Sequence, residues 1–426
     1  MNNLILSEDS KAMLLICSDI LKDYIKDDVK PYTLAEWNKL ADKLQKSEMR
    51  SPKAFFLYKP IEWKNILDIT EEEVSRLEKL LSNGARLAIE LDELAKLGIF
   101  VTTRAEKSYP YVLKEKLGKK APTILYYAGD ISILETKKAA IVGSRNIDKD
   151  AIAFTEKLAQ KCALEGLTVV SGGARGVDSI AQDIALYNGG KVVSILSSEM
   201  KKVIKKKEYR DAILNKKLLL ISTNHPDTIF TVYRAMERNK YIYALSNYSF
   251  VVSSDYKKGG TWAGAEENIK NNWVCLYVRN EDNIPIGNKK LIEMGGIPFD
   301  SKILDDKNVK LINILDERSR SIKGNIAEQL SLLNELENSR DKNEVATIVN
   351  GNENIFKKDE IKNDIKRKAY DIFLPILKEI LNTPKTLKEI SQELDLIESQ
   401  LKIWIKRMEE ENIIEKTGRP IKYKLK

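Results

Sequence analysis

Short apolar runs alternate with segments of helix length between about residues 137 and 300. The runs are rich in Val, Ile and Leu and lack the regular polar alternation of a strand with one solvent-exposed face. In chain order they read AAIVGSR, LTVVSGG, KVVSILSS, LLLISTN, YSFVVSSD and WVCLYVRN. Such runs are typical of a parallel sheet covered by helices on both faces. The pattern therefore predicts a doubly wound α/β fold.

The rest of the chain has a different pattern of apolar and polar residues from this core. A chain of 426 residues also exceeds the length of one ordinary domain. Amphipathic helical stretches precede the core, and a polar stretch with NGNEN at its centre follows it. We predict five units: a helical N-terminal extension over 1–65, a helical module of helix-hairpin-helix or sterile-alpha-motif type with a lead-in over 66–125, the α/β core over 126–315, a linker over 316–365 and a winged helix over 366–426.

The C-terminal unit carries much of the positive charge. Residues 361–426 contain 15 Lys and Arg against 11 Asp and Glu, a difference of +4 out of a net charge of +8 for the chain. Three helical stretches, the second capped by Thr386 with Glu389, precede a strand pair that turns at 417–420. This order is typical of a winged helix-turn-helix. Such a unit can contact DNA or dock proteins, and both readings stay open.

The residue inventory excludes several kinds of site. The chain has one histidine, His225, and three widely spaced cysteines, Cys17, Cys162 and Cys275, which predicts neither a disulfide framework nor a zinc site. It has no GxxxxGK[ST] and no GxGxxG after the first core strand, so neither an ATPase phosphate loop nor a dinucleotide cofactor is expected. We predict no cofactor, no metal and no catalytic constellation.

Membrane association is not expected either. No run approaches the roughly 18 apolar residues that span a bilayer. The N-terminus MNNLILSEDSK lacks the basic flank and cleavage site of a secretory signal. We expect a cytoplasmic protein.

Glycine-rich clusters with an arginine end the first two core strands, GSR at 143–145 and SGGARG at 171–176. In a doubly wound sheet such loops lead into helix N-termini, whose unpaired N–H groups and dipole favour anions. Glycine allows close approach of the backbone, and arginine matches a phosphate with two hydrogen bonds. RNK at 238–240 and KGGT at 258–261 are predicted to be loops at the same edge. Glycines that serve only the turns are the alternative.

The candidate residues share the ability to face an anion through a backbone N–H, a hydroxyl, an amide or a cation. They are Gly143, Ser144, Arg145, Ser171, Gly172, Gly173, Arg175, Gly176, Arg238, Asn239, Lys240, Gly260 and Thr261. Nearby acids, Asp178, Glu266 and Glu267, are interpreted as helix-terminal or solvated charges rather than catalytic groups.

In their order and spacing, IVGSR, VVSGGARGVDSIA, RNKYIYALS and GGTWAGAEE resemble the motifs of the DNA-processing protein A (DprA/Smf) family of the SLOG superfamily. The upstream stretch with YPYVL and PTILYYAGD is similar to the lead-in of that family, so the resemblance covers about residues 66–300. It implies a Rossmann-like core that binds single-stranded DNA without catalysis. It also implies loading of the RecA recombinase in natural transformation or recombination, and a homodimer.

On this resemblance, the 143–145 and 171–176 loops, Arg238 and Lys240 grip phosphates, while Asn239 braces its loop or touches a base. The chain departs from the family pattern where Ala235 and Met236 replace Phe-Pro and where Lys240 replaces an arginine.

The alternative function is a nucleotide-binding or nucleotide-hydrolysing enzyme or sensor of the same superfamily, for example in phage defence. The hydrolase motif of that group, PGGxGTxxE, is out of register here, because Gly264 stands three residues after Thr261 and the nearest acids are Glu266 and Glu267.

Overall fold

A computed structural model describes residues 6–22, 29–306, 308–318, 374, 377–394, 398–418 and 421–425. These residues fall into two compact units, one within 1–333 and one within 334–426. No helix in the described ranges is both long enough and apolar enough to cross a bilayer. The predicted linker over 316–365 lies almost entirely outside the described residues.

A nine-stranded sheet forms the centre of the first unit, with the strand order β1-β2-β6-β5-β4-β3-β7-β8-β9. The pairs β1–β2 and β2–β6 are antiparallel, and all other neighbours are parallel. The strands are β1 Phe100–Thr103, β2 Ile124–Ala128, β3 Lys138–Val142, β4 Thr168–Ser171, β5 Val192–Leu196, β6 Leu218–Ser222, β7 Tyr248–Val251, β8 Leu276–Arg279 and β9 Ile297–Phe299. All six predicted core strands are confirmed as β3 to β8.

Helices connect and cover these strands. They are α1 Glu8–Cys17, α2 Leu34–Lys46, α3 Pro60–Leu67, α4 Glu71–Leu81, α5 Gly84–Lys96, α6 Tyr111–Leu117, α7 Lys149–Leu164, α8 Val177–Tyr187, α9 Met200–Val203, α10 Lys207–Leu214, α11 Val232–Leu245, α12 Gly259–Asn271, α13 Ile286–Glu293 and α14 Lys302–Asp305. Residues 311–318 are also helical. A capping box starts α4, with Thr70 accepting from the Glu73 N–H and Glu73 accepting from the Thr70 N–H.

The parallel part of the sheet is covered on both faces, as the doubly wound prediction requires. Alternate residues of each strand enter opposite cores, as with Ile141 on one side and Val142 on the other. The first core includes α7 and α8, and the second includes α11 and α12. Starting from β3, the chain builds β4, β5 and β6 on one side and then β7, β8 and β9 on the other. The fold is Rossmann-like, with its switch of direction between β3 and β7.

The N-terminal helices share one apolar core with the sheet. Buried side chains of α1, α2, α4 and α5 belong to the same cluster as those of β3 and α7. The contact between α4 and the segment before α2 includes Arg76, which stacks 4.1 Å from the Tyr32 ring centroid and pairs with Glu36 at 2.9 Å. The strand pair β1–β2 was not predicted from the sequence. It extends the sheet beyond β6.

The described part of the second unit contains α15 (Leu387–Leu394), α16 (Glu398–Glu410) and the antiparallel hairpin β10 (Ile414–Thr417) with β11 (Lys422–Leu425). The cap predicted at Thr386 with Glu389 is confirmed. Leu377, Leu381, Trp404 and Ile414 lie in its own apolar core. Helix, helix and hairpin follow in the predicted order, while the first helix of the predicted winged helix lies largely outside the described residues.

Candidate functional site

A cleft of ≈ 430 Å³ opens at the switch of strand direction between β3 and β7. The loop after β3, the loop after β4, helix α11 and the first turn of α12 all line it. Its lining therefore brings together members of all four predicted clusters. This position, outside the carboxyl ends of parallel strands, is where ligands bind in open α/β sheets.

A second cleft of ≈ 510 Å³ adjoins the first. Both clefts are lined by Arg145, Ala174 and Arg238, so these residues form a shared wall. The second cleft continues over Gly172 to Arg175 and the loop after β5, and ends at Phe230. The two clefts form one groove along the edge of the sheet.

The glycines of the first two loops let the loops interlock. Gly176 has a positive φ of 91°, and a Cβ there would lie 2.5 Å from the Ser144 carbonyl oxygen. A Cβ on Gly143 would lie 2.4 Å from a methyl carbon of Val177. Any side chain at either position would push the loops apart. These glycines serve the packing of the two loops against each other, which is the alternative stated for them above.

The side chain of Asp178, in the first turn of α8, lies inside the protein beside the backbone of the two glycine loops. Its buried carboxylate accepts a hydrogen bond from the N–H of Gly172 at 3.2 Å. Burial is the largest influence on the pKa of Asp178 and raises it, while Arg238 and the backbone N–H groups of Ala174, Gly172 and Gly143 act in the opposite direction. The Gly172 N–H, one of the donors expected to meet an external anion, is therefore engaged by this internal one.

Arg238 lies at the floor of the groove and is 6% exposed. Its Nη1 donates to the carbonyl oxygen of Ile195 at 2.7 Å, and its Nε has no hydrogen-bond partner among the described residues. The guanidinium occupies the space beside Gly172, where a Cβ would lie 1.5 Å from Nη1. Gly172 is therefore needed to admit this buried arginine.

The prediction of a loop at 238–240 is wrong, because these residues lie in the middle of α11. The run VYRAMERNKYIYAL contains neither Gly nor Pro, and the Thr231 hydroxyl caps its first turn. Asn239 donates to the carbonyl oxygen of Gly260 at 2.9 Å and so braces α11 against α12. Lys240 pairs with Glu237 at 3.3 Å on the same helix.

The two candidate serines are occupied by internal hydrogen bonds. The Ser171 hydroxyl donates to the carbonyl oxygen of Ile141 at 2.7 Å in the interior. Ser144 donates through both its N–H, at 2.9 Å, and its hydroxyl, at 3.1 Å, to the carbonyl oxygen of Ser253. Both side chains stabilise the ends of the strands.

Cations at the rim contrast with these engaged groups. Arg145, Arg175 and Lys258 are exposed, and none of them makes an ion pair within the described part of the chain. Arg145 lines both clefts, Arg175 lines the second and Lys258 lines the first. The groove therefore carries cations along its length that are available to a ligand.

The first turn of α12 adds backbone donors to the first cleft. No side chain caps this helix, whose N-cap residue is Lys258. Gly260 and Thr261 lie in that turn and line the cleft. The first N–H groups of a helix have no intrahelical acceptor and form the positive end of the helix dipole. Gly260 and Thr261 thus keep the anion-binding geometry that the sequence predicted for them.

Several residues of the groove were missed at the level of sequence. Asn146 and Asp255 line the first cleft, and Glu199 lines the second. Phe230 lines the second cleft and is 41% exposed, and Tyr256, next in sequence to Asp255 of the first cleft, is 43% exposed. Large aromatic residues usually indicate core, and no spacing in the sequence distinguishes an exposed ring from a buried one.

Fold and groove together define a Rossmann-like protein with an open groove that carries exposed cations at the switch of strand direction. Residues 100–302 match the family described as DNA recombination-mediator protein A. This part of the chain is similar to the DNA-processing protein A (DprA/Smf) family, in agreement with the resemblance of the motifs at 143–145 and 171–176.

Individual relatives match over parts of their length. The chain is 37% identical to DNA processing protein DprA of Streptococcus pneumoniae over 114 residues, 26% of this chain and 39% of that protein. It is 22% identical to protein Smf of Borreliella burgdorferi over 212 residues, 48% of this chain and 67% of that protein. A solved structure concerning the single-stranded DNA binding mode of DNA processing protein A from Helicobacter pylori is 23% identical, with a TM-score of 0.42, and covers 52% of this chain and 96% of that one.

Proposed function

We propose that this protein binds single-stranded DNA along the groove, with the phosphates on its rim cations. The observation that carries the proposal is the row of exposed cations without a carboxylate partner, Arg145, Arg175 and Lys258, across two joined clefts. Arginine and lysine at the end of parallel strands, beside an uncapped helix N-terminus, are suited to phosphate groups. The match of residues 100–302 to a family of DNA recombination mediators supports a DNA ligand.

A polymer suits the groove better than a free nucleotide. The first cleft alone has the volume of a small-molecule site. The shared wall at Arg145 and Arg238 continues it into the second cleft, where Arg175 is exposed. A nucleoside monophosphate has one phosphate and would use only part of this row, whereas successive phosphates of a strand can reach all of it.

Within this proposal the buried groups hold the groove in shape. Asp178 and Arg238 fix the two glycine loops and the floor, and Asn239 fixes the start of α12. Because its carboxylate is buried and accepts from the Gly172 N–H, Asp178 is not positioned as a general base. We propose a binding role without catalysis.

The wider role follows the family. We propose that this cytoplasmic protein acts in recombination or natural transformation, with RecA as the recombinase that it assists and a homodimer as the active form. A pull-down of purified RecA on strand-loaded protein tests the first part, and sedimentation tests the second.

The central experiment titrates labelled oligo-dT with the full chain at several salt concentrations, followed by fluorescence anisotropy. We expect the logarithm of affinity to fall linearly with the logarithm of salt, by about 0.7 for each phosphate contacted in a single strand. Three contacted phosphates give a slope of about −2. The titration is repeated with nucleoside monophosphates while released base is measured by chromatography. Absence of DNA binding at low salt, or release of base, contradicts the proposal.

A further inference from the structure

Two exposed aromatic rings flank the groove, each beside a cation. The guanidinium of Arg145 lies 5.6 Å from the centroid of Phe230, at the end of the second cleft. The ammonium of Lys257 lies 5.2 Å from the centroid of Tyr256. Tyr256 lies in the short segment between Asp255 and Lys258, which both line the first cleft. Neither ring takes part in the phosphate contacts proposed above.

The Phe230 ring belongs to a firmly held segment that exposes apolar groups. Ile229, Val232 and Tyr233 are 77%, 66% and 75% exposed. The Thr228 N–H donates to His225, the Glu199 N–H donates to Thr228, and Arg234 donates to Ile229. A segment fixed by its own backbone in this way presents its apolar side chains to solvent in one arrangement. A patch of this kind beside a polar groove marks a place where an apolar part of a ligand is covered.

Tyr256 is fixed differently but to the same effect. Its ring packs edge-on against Trp262 of α12, with the centroids 5.0 Å apart and the planes at 87°. Trp262 is buried, so its contact holds the Tyr256 ring against the interior of the protein. Ring orientation is therefore set before any ligand arrives, which lowers the entropy that binding costs.

We infer that Phe230 and Tyr256 are stacking platforms for the bases of the strand whose phosphates cross the groove between them. This inference rests on the proposed function. Every nucleobase has an apolar π face, and aromatic side chains accept it without regard to sequence. The rim cations attract the phosphates, while the rings cover the bases that those phosphates carry. The site then takes single strands with unstacked bases, because a base inside a duplex has no free face.

The experiment compares two labelled oligomers, each about 12 nucleotides long. One is oligo-dT, and the other has the same phosphates on abasic sugars. Full-length wild type is titrated with both, together with Phe230→Leu and Tyr256→Leu, which keep an apolar side chain but remove the π face. Tyr187→Leu is the matched control, because Tyr187 is 88% exposed at the last residue of α8, the end of that helix remote from the groove.

We expect wild type to prefer oligo-dT to the abasic strand by about tenfold or more. Each platform variant should lose about five- to tenfold for oligo-dT, with unchanged binding to the abasic strand and an unchanged salt slope. Unchanged abasic binding also shows that the variants are folded. Two results would contradict the stacking role of these rings and leave the proposed function standing. One is equal binding of wild type to both oligomers, and the other is platform variants that behave as Tyr187→Leu does. Binding to neither oligomer overturns both.

Discussion

The groove and the C-terminal unit use their positive charge in different ways. In the groove, Arg145, Arg175 and Lys258 are exposed without ion pairs in the described part of the chain. In the C-terminal unit, five of the described cations are paired with carboxylates close to them in sequence or across its hairpin, while Lys378, Lys388, Lys402 and Lys422 make no ion pair in the described residues. These pairs are Lys385–Glu393, Lys406–Glu410, Arg407–Glu411, Lys416–Glu409 and Lys424–Glu415.

The comparison teaches that net charge is a poor guide to where an anion binds. Residues 361–426, which include all the described residues of this unit, carry +4 of the net charge of +8. An exposed ion pair still has to exchange its carboxylate for a phosphate, so its cation gains little from a strand. A cation that faces only water gains the full contact and releases counterions from the nucleic acid. Position and partners, more than totals, decide which surface binds.

The largest expected effect is on stability and concerns Asp178, the buried carboxylate of the groove. Asp178→Ala removes the carboxylate whose charge acts on buried Arg238 and leaves the Gly172 N–H without its acceptor. We expect a loss of about 3 to 5 kcal/mol in the free energy of unfolding, measured by urea denaturation. Glu393→Ala, which removes the partner of Lys385 at the surface of the C-terminal unit, should cost less than about 1 kcal/mol. Similar losses for the two variants would remove the distinction between the interior of the groove and that surface.

Next in size is the effect of neutralising one cation from each region. Arg145→Gln should weaken oligo-dT binding by on the order of 1 to 3 kcal/mol and flatten the salt slope, because an unpaired cation loses a charge-assisted contact. Lys406→Gln makes the same change of net charge at an exposed, paired position. Anisotropy at fixed salt should show less than about a threefold change for it. If the Lys406 variant is the weaker binder, the strand lies on the C-terminal unit instead.

The smallest expected effect comes from releasing cations rather than removing them. Glu409→Gln with Glu410→Gln frees Lys416 and Lys406. If ion pairing keeps these cations of the C-terminal unit from binding DNA, the affinity for oligo-dT should rise, by less than about 1 kcal/mol. A second double variant, Glu72→Gln with Glu115→Gln, is the control.

Glu72 and Glu115 are exposed and make no ion pair in the described ranges, so the control changes net charge equally without freeing a cation. An equal rise in both double variants would mean that total charge, and not pairing, sets the affinity.

Much of the fold was predictable because its signals are periodic and local. The six apolar runs became β3 to β8, and the rule that parallel strands end at one edge brought their loops together. The antiparallel pair β1–β2 was not predicted, since β1 is a four-residue strand within a helical stretch. The loop expected at 238–240 is helix, because the motif itself was taken as a sign of a loop although its residues favour helix.

The site was predictable in its place but less so in its chemistry. Convergence of the 143–145 and 171–176 loops followed from topology alone. The role of Asp178 did not, since an acid in the first turn of a helix looks the same in sequence whether it is solvated or is buried as the acceptor of a loop N–H group. The internal bonds of Ser144 and Ser171 depend on partners more than 20 residues away in the chain and were equally invisible.

The bond between Ser144 and the carbonyl of Ser253 also bears on the order in which the molecule can be assembled. The two residues are 109 positions apart, and the lining of the first cleft runs from Val142 to Thr261. A chain emerging from the ribosome has one wall of this cleft long before it has the other. Contacts of such sequence separation form late, after the local helices. The complete binding surface is thus a product of the completed domain, and a nascent or truncated chain that ends before β7 lacks Asp255 and the Lys258–Thr261 wall of the first cleft.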